Sequence, residues 1–137
     1  MAGFSEQVDY PTAQEICSWN RQVILQSGGD YVPPDNFLNS SSLHYILEAI
    51  SAPIYGFDQY PTLKEKAAAI GAQIISRHVF VDGNKRTGVV AACAFLERNR
   101  ILVFIEPSIE DLAVAIATRE AGYTELLRWL HDHQAGD

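Results

Sequence analysis

The sequence predicts an all-α fold, a compact single-domain helical bundle, and three observations carry that expectation. Apolar residues recur at three- and four-residue spacing along most of the chain. Cap and turn residues (Pro11-Thr12, Gly28-Gly29, Ser40-Ser41-Ser42, Pro61-Thr62, Gly122) punctuate those runs at helix-length intervals. Only Ile101-Leu102-Val103-Phe104-Ile105 has the composition of a strand, and it is brief and stopped by Pro107. At 137 residues, 47% hydrophobic and 20% charged, the chain is large enough to fold around one core without disulfides or metals.

Taken in order, Pro11-Thr12 opens a first helix over about residues 12–27, with Ile16, Trp19, Val23 and Ile24 on its inner side. Gly28-Gly29 stops it, and residues 28–39, with two glycines and two prolines, read as a loop. Ser40, Ser41 and Ser42 offer caps for a short helix carrying Leu43, Ile46, Leu47 and Ile50. In residues 52–61 aromatics and turn formers alternate without helical period, which predicts a short extended flap. Ile54, Tyr55, Phe57, Tyr60 and Leu63 are costly to leave in water unless they pack or bind something.

Pro61-Thr62 starts a third helix to about Arg77, with Leu63, Ala67, Ile70 and Ile74 inward. A fourth, from about Asn84 to Arg98, is apolar nearly all round and is expected at the centre of the bundle. Small residues in both, Gly71 and Ala92 among them, permit close backbone approach. Ile101–Ile105 is expected as a buried connector. Ser108 with Asp111 marks the next N-terminus, with Leu112, Ala115 and Ile116 on one face, and Thr124 caps a last helix with Leu126, Leu127, Trp129 and Leu130. One domain over 1–137, with its core in 40–133, accounts for the whole pattern.

The net charge of −7 makes the chain a poor non-specific nucleic-acid binder, so no direct nucleic-acid partner is expected. Any phosphate chemistry must rest on a local basic cluster. Cys17 and Cys93 lie inside apolar helical patterns and are expected as buried thiols of a reducing compartment. The first ten residues carry no signal-peptide pattern, and no apolar run is long enough for a membrane, so a cytoplasmic location is expected.

One stretch stands apart, His78-Val79-Phe80-Val81-Asp82-Gly83-Asn84-Lys85-Arg86-Thr87. The first-turn N–H groups of the fourth helix have no intrahelical partners and sit at its positive dipole end, an anion cradle. Gly83 lets backbone approach a phosphate, Asn84 can donate through its amide, and Lys85 and Arg86 add charge, Arg86 as a bidentate fork. Asp82 is a hard oxygen ligand suited to Mg²⁺ shared with phosphates, and His78 can take a proton from an attacking hydroxyl. Phe80 would pin the loop to the core. The bland alternative is a solvated His before an ordinary Asp-Gly-Asn turn. Against it, two cations in a first turn oppose the helix dipole, a conflict that a bound anion relieves. A P-loop fits poorly, since Asn84 precedes Lys85 and Arg86 follows it. A metal-dependent phosphohydrolase built on His131, Asp132 and His133 is a weaker rival: it needs further ligands, and only His44 and His78 remain among the histidines.

The stretch resembles the signature of the Fic/Doc (Fido) family, His-x-Phe-x-Asp/Glu-Gly-Asn-x-Arg-x-x-Arg, on which His78, Phe80, Asp82, Gly83, Asn84 and Arg86 fall in register. Lys85, where Fic members usually carry Gly, and Val89, in place of the second Arg, resemble the Doc (death-on-curing toxin) branch. The resemblance extends over roughly Leu43 to His133. It implies the Fic/Doc helical fold, with His78 as general base on a target Ser/Thr hydroxyl and Asp82 holding Mg²⁺. Gly83, Asn84 and Lys85 would line the anion hole, and Arg86 would meet the phosphates of ATP or another nucleoside triphosphate. Fic members mostly transfer AMP, whereas Doc toxins transfer the γ-phosphate to elongation factor Tu and halt translation, and Lys85 and Val89 favour the second. The flap residues Ile54, Tyr55, Gly56 and Phe57 would dock the target as an added strand. No inhibitory Ser/Thr-x-x-x-Glu-Gly/Asn segment is present, so a separate antitoxin protein is implied. A catalytically inert binding module is the remaining alternative, and the complete motif argues against it.

Overall fold

The computed structural model describes residues 7–136. Six helices follow one another: α1 (Ala13–Ser27), α2 (Ser40–Ser51), α3 (Leu63–Ser76), α4 (Asn84–Arg98), α5 (Ser108–Ala117) and α6 (Tyr123–Asp132). The all-α expectation holds, and pairing outside helices is confined, among the described residues, to isolated bridges. No helix of the described residues is long and apolar enough to cross a membrane.

The most enclosed helix is α3 rather than α4. It packs against α2, α4, α5 and α6, and nine of its residues are buried against six in α4. The near-uniform apolarity of α4 misled because Val90 faces solvent, whereas the alanines of α3 are enclosed without looking strongly hydrophobic. The two helices meet at Gly71 and Gly88. A Cβ on Gly88 would lie 2.7 Å from the Gly71 carbonyl oxygen, and one on Gly71 2.9 Å from the Gly88 oxygen. Only hydrogen at both positions permits this crossing.

Helix starts are set by chemistry partly visible in the sequence. Thr12 and Thr62 each accept the N–H three residues on, while Glu15 and Glu65 accept the Thr N–H in return. Glu15 also receives both guanidinium nitrogens of Arg98, at 3.0 and 2.7 Å, tying the start of α1 to the end of α4. Other starts differ from expectation. Asn39, not a serine, precedes α2. Pro107 precedes α5, and Ser108 instead accepts the Trp129 indole N–H at 3.1 Å. Gly122 precedes α6, where its N–H donates to Glu125. The buried face of α5 is Ile109, Ala113 and Ile116, one step from the expected stripe, with Leu112 half-buried.

The connector 101–105 is not buried: Leu102, Phe104 and Ile105 are all more than half exposed. Its strand-like composition is expressed as a single antiparallel bridge, Val103 to Gln134, flanked by Phe104 N–H to His133 O and Ala135 N–H to Leu102 O. Cys17 and Cys93 are free, half-buried thiols, and burial pushes each up to about 11, which leaves them protonated and unreactive.

The 52–61 flap closes as a tight two-residue hairpin. Ile54 and Phe57 exchange both backbone hydrogen bonds at 2.9 Å, and Tyr55 and Gly56 both take positive φ, 53° and 81°, as a type I′ turn requires. Tyr60 rests on Tyr123, but Ile54, Tyr55 and Phe57 are exposed.

Candidate active site

The loop 78–83 joins the C-terminus of α3 to the N-terminus of α4, and its conformation is fixed from both sides. Phe80 is fully buried and stacks on Phe37 with ring centroids 5.6 Å apart, the anchoring role expected of it. Asn84 closes the loop by two side-chain bonds to one residue: Oδ1 accepts the Phe80 N–H at 2.9 Å and Nδ2 donates to the Phe80 carbonyl at 2.8 Å. The Asn84 amide thus spends its oxygen and one of its two N–H donors on the loop, and the second side-chain N–H and the backbone N–H remain for an anion. Among the described residues no protein acceptor meets the N–H groups of Asn84, Lys85 or Arg86.

His78 occupies the position after the α3 cap with φ 50°, a left-handed conformation usually given to Gly or Asn and costing other residues about 1–2 kcal/mol. Neighbours hold it there. The Leu38 and Asn39 N–H groups both donate to the Val79 carbonyl at 2.9 and 3.0 Å, and Asn39 Nδ2 reaches the carbonyls of Arg77 and His78. The ring has one protein partner among the described residues: Nδ1 lies 3.2 Å from the Ile75 carbonyl oxygen. A carbonyl only accepts, so Nδ1 carries the proton and donates, and Nε2 is left as an exposed base.

Asp82 has one backbone N–H on each oxygen, Gly83 at 2.8 Å and Asp30 at 2.9 Å. These bonds, the one from Asp30 first, hold its carboxyl below the ordinary carboxylate range, with Lys85 adding to them. The carboxylate is thus ionised, with a lone pair free on each oxygen. Among the described residues it is the only acid lining the adjacent cleft, a donor set that suits Mg²⁺ held by one carboxylate, substrate phosphates and water better than a metal caged by protein.

His78, Asp82, Gly83, Asn84, Lys85 and Arg86 share one cleft of about 270 Å³, with Val23, Ser27 and Gly28 of the α1 end forming its other wall. Five of these six sit in five consecutive positions, and the sixth is brought to them by the loop. The Arg86 guanidinium is parked on the Ser27 hydroxyl. Val23, Ser27, Lys85 and Arg86 also line a second cleft of about 370 Å³, walled by Val89, Val90, Ile105, Ile109, Ala113 and Val114, with Glu110 and Gln26 as its further polar groups. The two form one channel, polar at the loop and apolar along α4.

The flap residues Ile54, Tyr55, Gly56 and Phe57 line neither cleft. The flap enters α3 at its N-terminus, whereas His78 follows the C-terminus, a helix of 14 residues and therefore about 20 Å away. The extended segment beside the loop is instead residues 36–39, where Phe37 bridges to Phe80. Turn composition concealed it: two prolines and two glycines read as an irregular loop. Four other residues were not foreseen as part of the site: Asn20, Ser27, Asp30 and Asn36. Asn20 alone left a signal, a lone amide on the inner stripe of Ile16, Val23 and Ile24.

The family profile described as Fic/DOC matches residues 10–96, a stretch that includes every residue of the polar cleft except Ala117. The chain belongs to the Fic/Doc family. Two similar proteins are Toxin Doc of Mycolicibacterium smegmatis, 42% identical over 72 residues, and Protein kinase doc of Escherichia phage P1, 38% identical over 64. The first match covers 50% of this chain and 55% of the relative, the second 47% and 51%. The chain spans about half the length of the curated relatives it matches. Both are Doc proteins, the side of the Fic/Doc family that Lys85 and Val89 resemble.

Proposed function

We propose that this chain is a Doc-like toxin that transfers the γ-phosphate of ATP or another nucleoside triphosphate to a Ser/Thr hydroxyl of a protein, with elongation factor Tu as the expected target. The observation that carries the reading is the exposed Nε2 of His78 at a cleft whose floor is unpaired helix N–H groups with Lys85 and Arg86. His78 Nε2 takes the proton as the target oxygen bonds to phosphorus. The bond to the bridging oxygen breaks, and the nucleoside diphosphate leaves with the electron pair. The Asn84, Lys85 and Arg86 N–H groups and the two cations stabilise the charge on the equatorial oxygens. Asp82 would hold Mg²⁺, which supplies charge neutralisation across the phosphates when bound.

The direction of the channel favours γ-transfer over AMP transfer. Where a second arginine would extend phosphate binding along α4, Val89 opens an apolar chamber suited to a nucleoside. The terminal phosphate then falls at the loop. For the target, the edge of 36–38 is better placed than the 52–61 flap. Asn36 O and Leu38 N–H are bonded inward to the loop, so the Phe37 N–H and C=O point away from it as an open edge for an extended segment. A separate antitoxin is part of the same reading, and the half-exposed Val90, Ile105 and Val114 offer it an apolar seat.

The test incubates the protein and Mg²⁺ with elongation factor Tu and ATP labelled at the α- or the γ-phosphate, with His78→Ala as control. Label moving from the γ-position alone, and lost in the variant, supports the reading. Transfer from the α-position makes the protein an AMP transferase, and transfer from neither sinks both.

A further inference from the structure

We infer that Asn20, on α1, is a positioning residue for Mg²⁺–nucleotide binding, acting through Asp82. The inference rests on the reading of Asp82 as the residue that holds the metal. Asn20 is fully buried on an otherwise aliphatic face, where an apolar side chain of similar size would pack without the cost of burying an amide. Both of its N–H donors and one lone pair of its oxygen are engaged by residues around the loop. Nδ2 donates to the Asp82 carbonyl at 2.9 Å and to the Thr87 hydroxyl at 3.1 Å, and Oδ1 accepts from Asn36 Nδ2 at 3.0 Å. Asn36, also fully buried, is itself left-handed with φ 60°; its Oδ1 accepts the Val32 N–H and its carbonyl accepts the Val81 N–H.

Two amides thus join α1, the 28–39 segment, both flanks of the loop and the first turn of α4. Asp82 is held at two points from this N-terminal side: its carbonyl by Asn20, and its carboxylate by the Asp30 N–H. Gly29 and Gly83 complete the fit. A Cβ on Gly29 would lie 2.9 Å from Asp82 Oδ2, and one on Gly83 3.0 Å from Asn20 Nδ2. With both ends fixed, the Asp82 carboxylate cannot swing towards solvent, and its free lone pairs stay directed into the cleft. Asn20 also reaches the first turn of α4 through Thr87, but the turn that presents the Asn84, Lys85 and Arg86 N–H groups is held separately by the two Asn84–Phe80 bonds.

That division supplies the test. Asn20→Asp keeps the shape and the acceptor for Asn36, but sets an oxygen against the Asp82 carbonyl. Asn20→Ala removes the same donor without burying a charge and serves if the first variant does not fold. Binding of a fluorescent ATP analogue to the full chain is measured by titrating Mg²⁺, and again in EDTA. The Mg²⁺ concentration for half-saturation is expected to rise about 10- to 100-fold, as outer-sphere losses at metal sites do, while metal-free binding moves less than about 2-fold. Equal weakening of both would mean that Asn20 supports only the fold, and would overturn the inference. So would variants matching a wild type whose binding depends on Mg²⁺, with the Asp82 reading left intact. A wild type that binds without regard to Mg²⁺ overturns the Asp82 reading and this inference together.

Discussion

Gly88→Ala tests how tightly the α3–α4 crossing is set. The new methyl would stand 2.7 Å from the Gly71 carbonyl oxygen and 2.7 Å from Ile75 Cγ1. The carbonyl belongs to a helix interior and cannot turn aside, so the helices must part by roughly half an ångström. Overpacking of this kind costs about 1–3 kcal/mol, and a rigid backbone neighbour puts it near the upper figure. Replacing Gly by Ala inside a helix returns about 1 kcal/mol. The net loss of about 2 kcal/mol corresponds, at about 4 °C per kcal/mol for a domain of this size, to a melting temperature lower by about 8 °C. Circular dichroism melting of the two proteins measures it. Because His78 follows the end of α3 and Asn84 begins α4, the parting also moves His78 away from the first turn of α4, which on the proposed mechanism separates base from phosphate. Transfer by the folded variant should fall on the order of ten-fold. A variant that melts at or above the wild-type temperature would refute the claim that hydrogen at residue 88 sets the crossing.

Phe80→Ala removes a fully buried ring stacked on Phe37 and should destabilise by about 3–5 kcal/mol in urea unfolding. Hydrogen bonds from Arg98 hold the Glu15 carboxyl down at about 2 from 4.5, so its contribution is complete above about 4.5 and is lost as pH falls from there through 2. Glu15→Gln should therefore flatten the acid limb of the stability profile in that window alone. With the side chain 40% exposed, the difference should stay below about 1 kcal/mol. Leu38→Ser, on the open edge beside His78, should raise KM for the protein target several-fold, whereas the Tyr55→Ser/Phe57→Ser pair in the distant flap should leave it within about two-fold. The reverse ranking would return target docking to residues 52–61.

Helix number and order were legible because apolar spacing and cap residues are local, and the grouping of the candidate site residues 78–86 in one cleft was legible because most of them are consecutive. What escaped was whatever depended on partners far along the chain. Asn84 looks like an anion donor, and that its amide also clamps the loop through Phe80 could not be read from the sequence. Leu102, Phe104 and Ile105 look buried because composition cannot show that, among the described residues, this segment pairs with 133–135 through a single bridge. The 52–61 segment drew attention by its aromatics, while the extended segment 36–39 that bridges to the loop hid among prolines and glycines.

The cleft is assembled where α1 ends, α3 ends and α4 begins, and helix ends are ordinarily the first parts of a protein to open. Their amide hydrogens usually trade with solvent without global unfolding. Here the buried Asn20–Asn36 pair captures the Val32 and Val81 N–H groups, and Gly83 O takes that of Thr87, so these should exchange as slowly as the core. The N–H groups of Asn84, Lys85 and Arg86, a few residues away, have no acceptor among the described residues and should exchange freely unless an anion binds, as the proposed function expects. A sharp boundary between slow and fast amides thus runs through the site, and the fast side of it is a built-in reporter of occupancy.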